Sequence, residues 1–226
     1  MTRLIAWLGG GVFVASLAVT VWWYFVAAGR TAAFAGWTPI AGDVCLVTLF
    51  AVHHSLFARD PVKRALTLIP AALLRSSYVW VASLLLIAVV LLWQPIGGVL
   101  YTVGGPPAAI LAVVQAAGLV TIARAVSGLD PLELAGIRQA SQSLRPEPLQ
   151  IAGPYRLVRH PLYLGWMLTL FGAARMTGDR LAFAALTSLY LVIAIPWEER
   201  SLRQSFGDDY TRYAERVRWR VLPFLY

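Results

Sequence analysis

A single cysteine, Cys45, stands in this 226-residue chain, and it lies within an apolar stretch. The chain therefore builds neither a disulfide framework nor a cysteine metal site of the usual spacing. Histidine is nearly as scarce, with three residues, and the acids number 11 against 19 lysines and arginines. These few groups form no recognised ligand spacing, so no metal is expected. Charged residues make up only 13% of the chain against 59% hydrophobic ones, at a mean hydropathy of +0.68. Apolar runs of this kind need a lipid solvent. The net charge of +8 is no nucleic-acid signal: the basic residues lie between apolar runs, without a continuous basic face or a zinc or RNA-binding signature. Positive-inside topology accounts for them.

Runs near residues 4–28, 40–58, 77–94 and 107–127 are long enough to cross a bilayer, which takes roughly 17 to 25 residues. Two shorter runs, 161–175 and 181–197, are joined by the turn-like Met176-Thr177-Gly178-Asp179 and read as a helical hairpin. The expected fold is an all-α integral membrane protein of about six transmembrane helices. A four-helix bundle over 1–127 precedes a second part, 128–226, made of a connection, the hairpin and a tail. The first run opens with one basic residue and has no small-residue cleavage site, so it reads as a retained helix. Arg59, Lys63, Arg64 and Arg75 in one connection, Arg138, Arg145, Arg156 and Arg159 in another, and the arginines of the tail place these segments and both termini in the cytoplasm. Leu202, Phe206, Tyr210 and Tyr213 keep helical spacing, which predicts an amphipathic tail helix on the membrane surface.

Chemistry concentrates in two segments. Gly153-Pro154-Tyr155-Arg156-Leu157-Val158-Arg159-His160-Pro161-Leu162-Tyr163-Leu164-Gly165 crowds cations, tyrosines and a histidine at a helix entrance, with Pro161 suited to the first helical position. Free N–H groups and the positive dipole end favour an anionic group there; a plain juxtamembrane stop touching lipid headgroups is the alternative. Trp197-Glu198-Glu199-Arg200 sets two acids where the last apolar run ends, either to meet a cationic ligand group or to pair locally, as Glu199 with Arg203 at i,i+4. The hairpin brings the two segments to one face. Gly9-Gly10-Gly11 follows no strand, so it is no dinucleotide fingerprint and reads as close helix packing.

The ordered set Gly-Pro-Tyr-Arg, Val-Arg-His-Pro-Leu-Tyr-Leu-Gly, Glu198-Glu199, Phe206-Gly207, Tyr210, Tyr213, Val217 and Pro223 resembles the membrane methyltransferases that include isoprenylcysteine carboxyl methyltransferase, phospholipid N-methyltransferases, NnrU-type proteins and methanethiol S-methyltransferase. The resemblance implies S-adenosylmethionine as cofactor, with S-adenosylhomocysteine as product. It implies cofactor contacts from Tyr155, Arg156, Arg159, His160, Pro161, Tyr163, Gly165, Glu198 and Glu199. A location in the bacterial inner membrane goes with it.

His53-His54-Ser55, Arg75-Ser76-Ser77-Tyr78 and Gly136-Ile137-Arg138-Gln139 are similar to the thiol-methylating branch, which implies a small lipophilic thiol as acceptor. Ionisable groups inside a membrane run face a bundle interior or a cavity, and a neutral histidine there can take the proton of a thiol, whose thiolate is the nucleophile. Interhelical hydrogen bonding is the plainer role for His53 and His54. Arg138 would suit a carboxylate acceptor, as on a prenylated cysteine, and a lipid amine is a further acceptor of this class. A non-catalytic, NnrU-like accessory protein is the alternative outside enzymes.

Overall fold

The computed structural model describes residues 2–30, 32–57, 59, 62, 64, 66–140 and 148–226. Lys63 and Arg145, expected in the basic connections, lie outside the described residues. The chain forms two compact units.

The first unit holds residues 1–98, 130–145 and 177–179. Its helices are α1 (Thr2–Trp22), α2 (Thr38–Leu56) and α3 (Ala71–Leu91), and α1 continues through a wider π-helical stretch, Trp23–Ala27. A single turn, α5 (Pro131–Leu134), is capped by the Asp130 side chain, which accepts the N–H groups of Leu132 and Glu133. That is the usual Asp N-cap. Packing in the unit depends on missing side chains. A Cβ on Gly9 would come within 2.6 Å of Trp80 Nε1, and one on Gly10 within 2.6 Å of Ile137 Cδ1. Gly9 and Gly10 are therefore a packing surface, as expected, whereas nothing lies within 4 Å of a Cβ on Gly11.

Asp179 organises the connection after α3. Its Oδ1 accepts Trp93 Nε1 at 2.9 Å and Ile96 N at 2.8 Å, and its Oδ2 accepts Gly97 N at 3.1 Å. Three donors suit a buried carboxylate, which is costly to desolvate without them.

The second unit comprises residues 99–129, 146–176 and 180–226. Its elements are β1 (Val99–Thr102), α4 (Gly105–Val126), α6 (Pro161–Phe171), β2 (Arg175–Thr177), α7 (Gly178–Phe206) and α8 (Asp208–Arg216). The α4–α6 contact is built on glycine. A Cβ on Gly165 would lie 2.8 Å from both Gly118 O and Ile122 Cγ1, and one on Gly118 only 2.5 Å from Thr169 Oγ1. Trp166 of α6 donates Nε1 to Thr187 Oγ1 of α7 at 2.9 Å.

Among the described residues, five helices are long and apolar enough to cross a membrane: Thr2–Ala27, Thr38–Leu56, Ala71–Leu91, Gly105–Val126 and Gly178–Phe206. Ile110 and Val113 on α4 are 65% and 68% exposed, a surface that requires lipid. This is an all-α integral membrane protein. Hydropathy predicts a further crossing over 161–175, but α6 has 11 residues, about 16 Å at 1.5 Å per residue, roughly half a 30 Å hydrocarbon core. Its end is fixed by α4: Gln115 Nε2 donates to the Thr169 carbonyl at 2.8 Å, satisfying one of the acceptors a helix C-terminus leaves open. The expected turn at Met176-Thr177-Gly178-Asp179 is also different. Arg175–Thr177 is extended and pairs with β1, and the following helix starts at Gly178.

The predicted tail helix is broken. Gly207 sits at φ +54 between α7 and α8, a conformation open to glycine and strained for other residues. Leu202, Phe206, Tyr210 and Tyr213 nevertheless share one cluster with Val217, Leu149 and Tyr155.

Candidate functional site

Proline at the first helical position and His160 as N-cap start α6 as the residue types predict. The same start brings Arg159 and His160 to the last turns of α7, where Glu198 and Glu199 lie. Because α7 runs on to Phe206, the acids sit inside a helix instead of at its unfavourable negative end.

Glu199 is 1% exposed and Glu198 44%. This difference decides their parts. Glu199 Oε1 accepts Arg159 Nε at 2.7 Å and lies 3.4 Å from His160 Nε2. Its Oε2 lies 3.6 Å from Arg220 Nε and 3.7 Å from Arg203 Nη2. A buried carboxylate is tolerable only with such compensation. Arg159 is committed further: Nη1 donates to the carbonyls of Val217 and Arg218, both at 2.8 Å. Glu198, by contrast, accepts the Tyr163 hydroxyl and stands 3.6 Å from His160 Nδ1. The His160 and Tyr163 rings stack at 5.1 Å and 17°, so one imidazole separates the inner acid from the outer one.

Tyr155 lies in the turn Gly153–Arg156, and its carbonyl accepts the Tyr213 hydroxyl at 2.8 Å. Burial, aided by the Glu198 charge, raises the Tyr155 phenol above its ordinary range. Burial pushes Tyr210 up to about 12, and Tyr213 rises for the same reason; all three stay protonated at neutral pH. Arg156 is exposed. Pro161 is fully buried. Gly165 faces α4, as its near contacts with Gly118 and Ile122 show, so its backbone serves helix packing.

His53, His54 and Arg138 belong to the first unit. His54 Nδ1 is 2.8 Å from the Tyr78 hydroxyl. The His53 ring stacks on Phe57 at 4.7 Å and on Tyr78 at 5.6 Å, and the Arg75 guanidinium lies 5.1 Å over the Tyr78 ring. Arg138 pairs with Asp130.

Sequence reasoning missed Arg220, one of several tail arginines with no spacing to single it out. It also left Tyr78 without a role, although the residue was within a matched motif. Among the described residues, no group of three or more histidines, cysteines or acids is placed to hold a metal ion.

The fold and this polar cluster define a helical membrane protein with a charged site where an apolar hairpin meets a polar tail. Residues 137–209 match the family described as phospholipid methyltransferase. Over 182 residues the chain is 36% identical to methanethiol S-methyltransferase 1 of Bradyrhizobium diazoefficiens, covering 77% of this chain and 64% of that protein. It is 35% identical to methanethiol S-methyltransferase of Pseudomonas deceptionensis, over 77% of this chain and 70% of the relative. For the enzyme of the same name from Crocosphaera subtropica, identity is 34% over 83% of this chain and 76% of the relative. No solved structure matches the chain. The chain belongs to the family of membrane methyltransferases that contains these proteins.

Proposed function

We propose that this protein transfers a methyl group from S-adenosylmethionine to a small lipophilic thiol, with methanethiol the first acceptor to test. The observation that carries the cofactor half is the division of labour between the paired acids: an exposed carboxylate backed by a tyrosine hydroxyl and a histidine, beside an inner acid already matched with arginine. The names of the curated relatives support the acceptor.

The donor set fits the cofactor's chemistry. S-adenosylmethionine carries an amino group, ribose hydroxyls and a carboxylate, and it supplies an electrophilic methyl on a sulfonium. Glu198, held by Tyr163, suits the amino or ribose groups. Arg156 and the N-terminus of α6 suit the carboxylate. Arg159 and Glu199 act one layer inward, fastening the segment before α6 to α7 and to the tail carbonyls. Both charged segments would face the cytoplasm, where the soluble cofactor is found.

Within the first unit, we assign the proton of the thiol to His54. The Tyr78 hydroxyl, 2.8 Å from Nδ1, orients the ring, and Nε2 takes the proton in the tautomer whose Nδ1–H donates to that hydroxyl. A thiol with a pKa of about 8.5 or above is mostly protonated at neutral pH, so moving that proton raises the nucleophilic fraction. Pairing of Arg138 with Asp130 disfavours a carboxylate acceptor that would require this arginine.

The test is methanethiol turnover by detergent-purified protein, with dimethyl sulfide measured in the headspace, alongside a phospholipid-amine and a prenylcysteine acceptor. Thioether from methanethiol alone supports the reading. Turnover of a lipid amine alone overturns the acceptor, and no cofactor binding by folded protein overturns the methyltransferase reading.

A further inference from the structure

Two stretches without helix or strand, 157–160 and 217–226, are laced together beside Glu199. Arg159 N–H donates to the Trp219 carbonyl at 2.9 Å and His160 N–H to the Arg220 carbonyl at 2.8 Å. Behind these bonds, Val221 is 1% exposed and packs with Val158, Leu164 and Ile195. The backbone position of His160 is therefore set by residues 219–221 as much as by α6.

Tyr226 holds that stretch in shape. Its main-chain oxygen accepts the N–H groups of Arg220, Val221 and Leu222 at 2.9, 2.9 and 3.1 Å. Three successive amides converging on one oxygen make a concave anion-type nest. The fold-back requires Phe224 at φ +67, an uncommon conformation for a bulky residue that persists only when its surroundings enforce it. Arg220 Nη1 donates to the Tyr226 hydroxyl at 3.0 Å, and the guanidinium lies 5.1 Å over the ring. The other edge of the same guanidinium sets Nε 3.6 Å from Glu199 Oε2.

We infer that the Tyr226 side chain is a positioning element for the His160–Glu199 site: its grip on Arg220 orients that guanidinium against Glu199 and locks the clasp of residues 217–226, whose Arg220 carbonyl receives the His160 N–H. The inference deepens the cofactor reading given above, and its backbone readout is independent of that reading.

The experiment compares hydrogen exchange and S-adenosylhomocysteine affinity in the wild type, Tyr226→Ala and Tyr226→Phe proteins. In Tyr226→Ala, exchange at the amides of Arg159, His160 and Arg220 quickens and affinity falls roughly tenfold, the scale of one lost hydrogen bond to a charged group. Amides of α1 and α3 keep wild-type exchange. Tyr226→Phe retains the ring under Arg220 and lies closer to wild type. Alanine keeps the Tyr226 main-chain oxygen, so unchanged exchange at Arg159 and His160 in Tyr226→Ala overturns the side chain's lock on the clasp. If that variant does not fold, Arg220→Lys replaces it: lysine keeps the charge near Glu199 but loses the fork that grips Tyr226, so the same amides must exchange faster, and unchanged exchange again overturns the inference. Wild type that binds no S-adenosylhomocysteine defeats the cofactor reading and leaves the exchange result to decide the clasp.

Discussion

Arg159 Nε donates to Glu199 Oε1 at 2.7 Å, with the carboxylate 1% exposed. This contact ties the segment before α6 to α7, and through Arg159 Nη1 it reaches the carbonyls of Val217 and Arg218. Removing one partner strands the other charge in a dry place. Glu199→Ala should therefore cost about 3 to 5 kcal/mol, seen as a large fall in melting temperature in detergent. The double variant Glu199→Ala with Arg159→Met should recover part of that loss, because the one buried cation goes with its partner while Arg203 and Arg220 reach solvent. A double variant as unstable as the sum of the singles would contradict this account of the pair.

Gly165→Ala tests helix packing apart from charge. The new methyl would meet the Gly118 carbonyl and Ile122 at 2.8 Å, and overpacking of this sort costs about 1 to 3 kcal/mol. A lowered melting temperature is expected. Full cofactor affinity in protein that remains folded would show that Gly165 acts through packing and not through ligand contact.

Gly207→Ala addresses the break between α7 and α8. Nothing lies within 4 Å of the added methyl, so any effect comes from the backbone at φ +54, where a side chain costs on the order of 1 to 3 kcal/mol. Thermal unfolding measures it directly, and an unchanged midpoint would mean that α8 can re-orient without cost.

Alkaline stability follows from Tyr210. Burial raises its phenol from an ordinary 10.0 to about 12. A raised pKa leaves the stability of the folded form intact below pH 10.0; between 10.0 and about 12 the unfolded chain loses the proton first, so stability falls through that window. Tyr210→Phe should flatten the decline in melting temperature over the same range. Parallel wild-type and variant curves would assign the alkaline loss to other groups.

The sequence made the membrane class and five of the helices legible, because long apolar runs report burial in lipid whatever packs beside them. The start of α6 was equally readable: Pro161 and the cations before it are local signals. Its end at Phe171 was not, since the capping donor is Gln115, 54 positions away. Strand β2 was hidden for the same reason, as its partner lies at 99–102. At the site, residue types announced His160, Tyr163 and the two acids, but Glu198 and Glu199 are chemically identical in sequence. Only the arrangement of Arg159, Arg203 and Arg220 around one of them separates inner from outer. Arg220 itself could not be chosen from the tail arginines, because its selection depends on the fold-back at Tyr226.

Calorimetric titration of S-adenosylhomocysteine into wild type and Glu198→Gln tests the central claim most directly. Glutamine keeps an acceptor for Tyr163 and removes the exposed charge while leaving the Glu199 network in place. The account predicts a melting temperature within a few degrees of wild type and an affinity at least tenfold weaker, the scale of a lost charged contact. Wild-type affinity in the Glu198→Gln protein would contradict it.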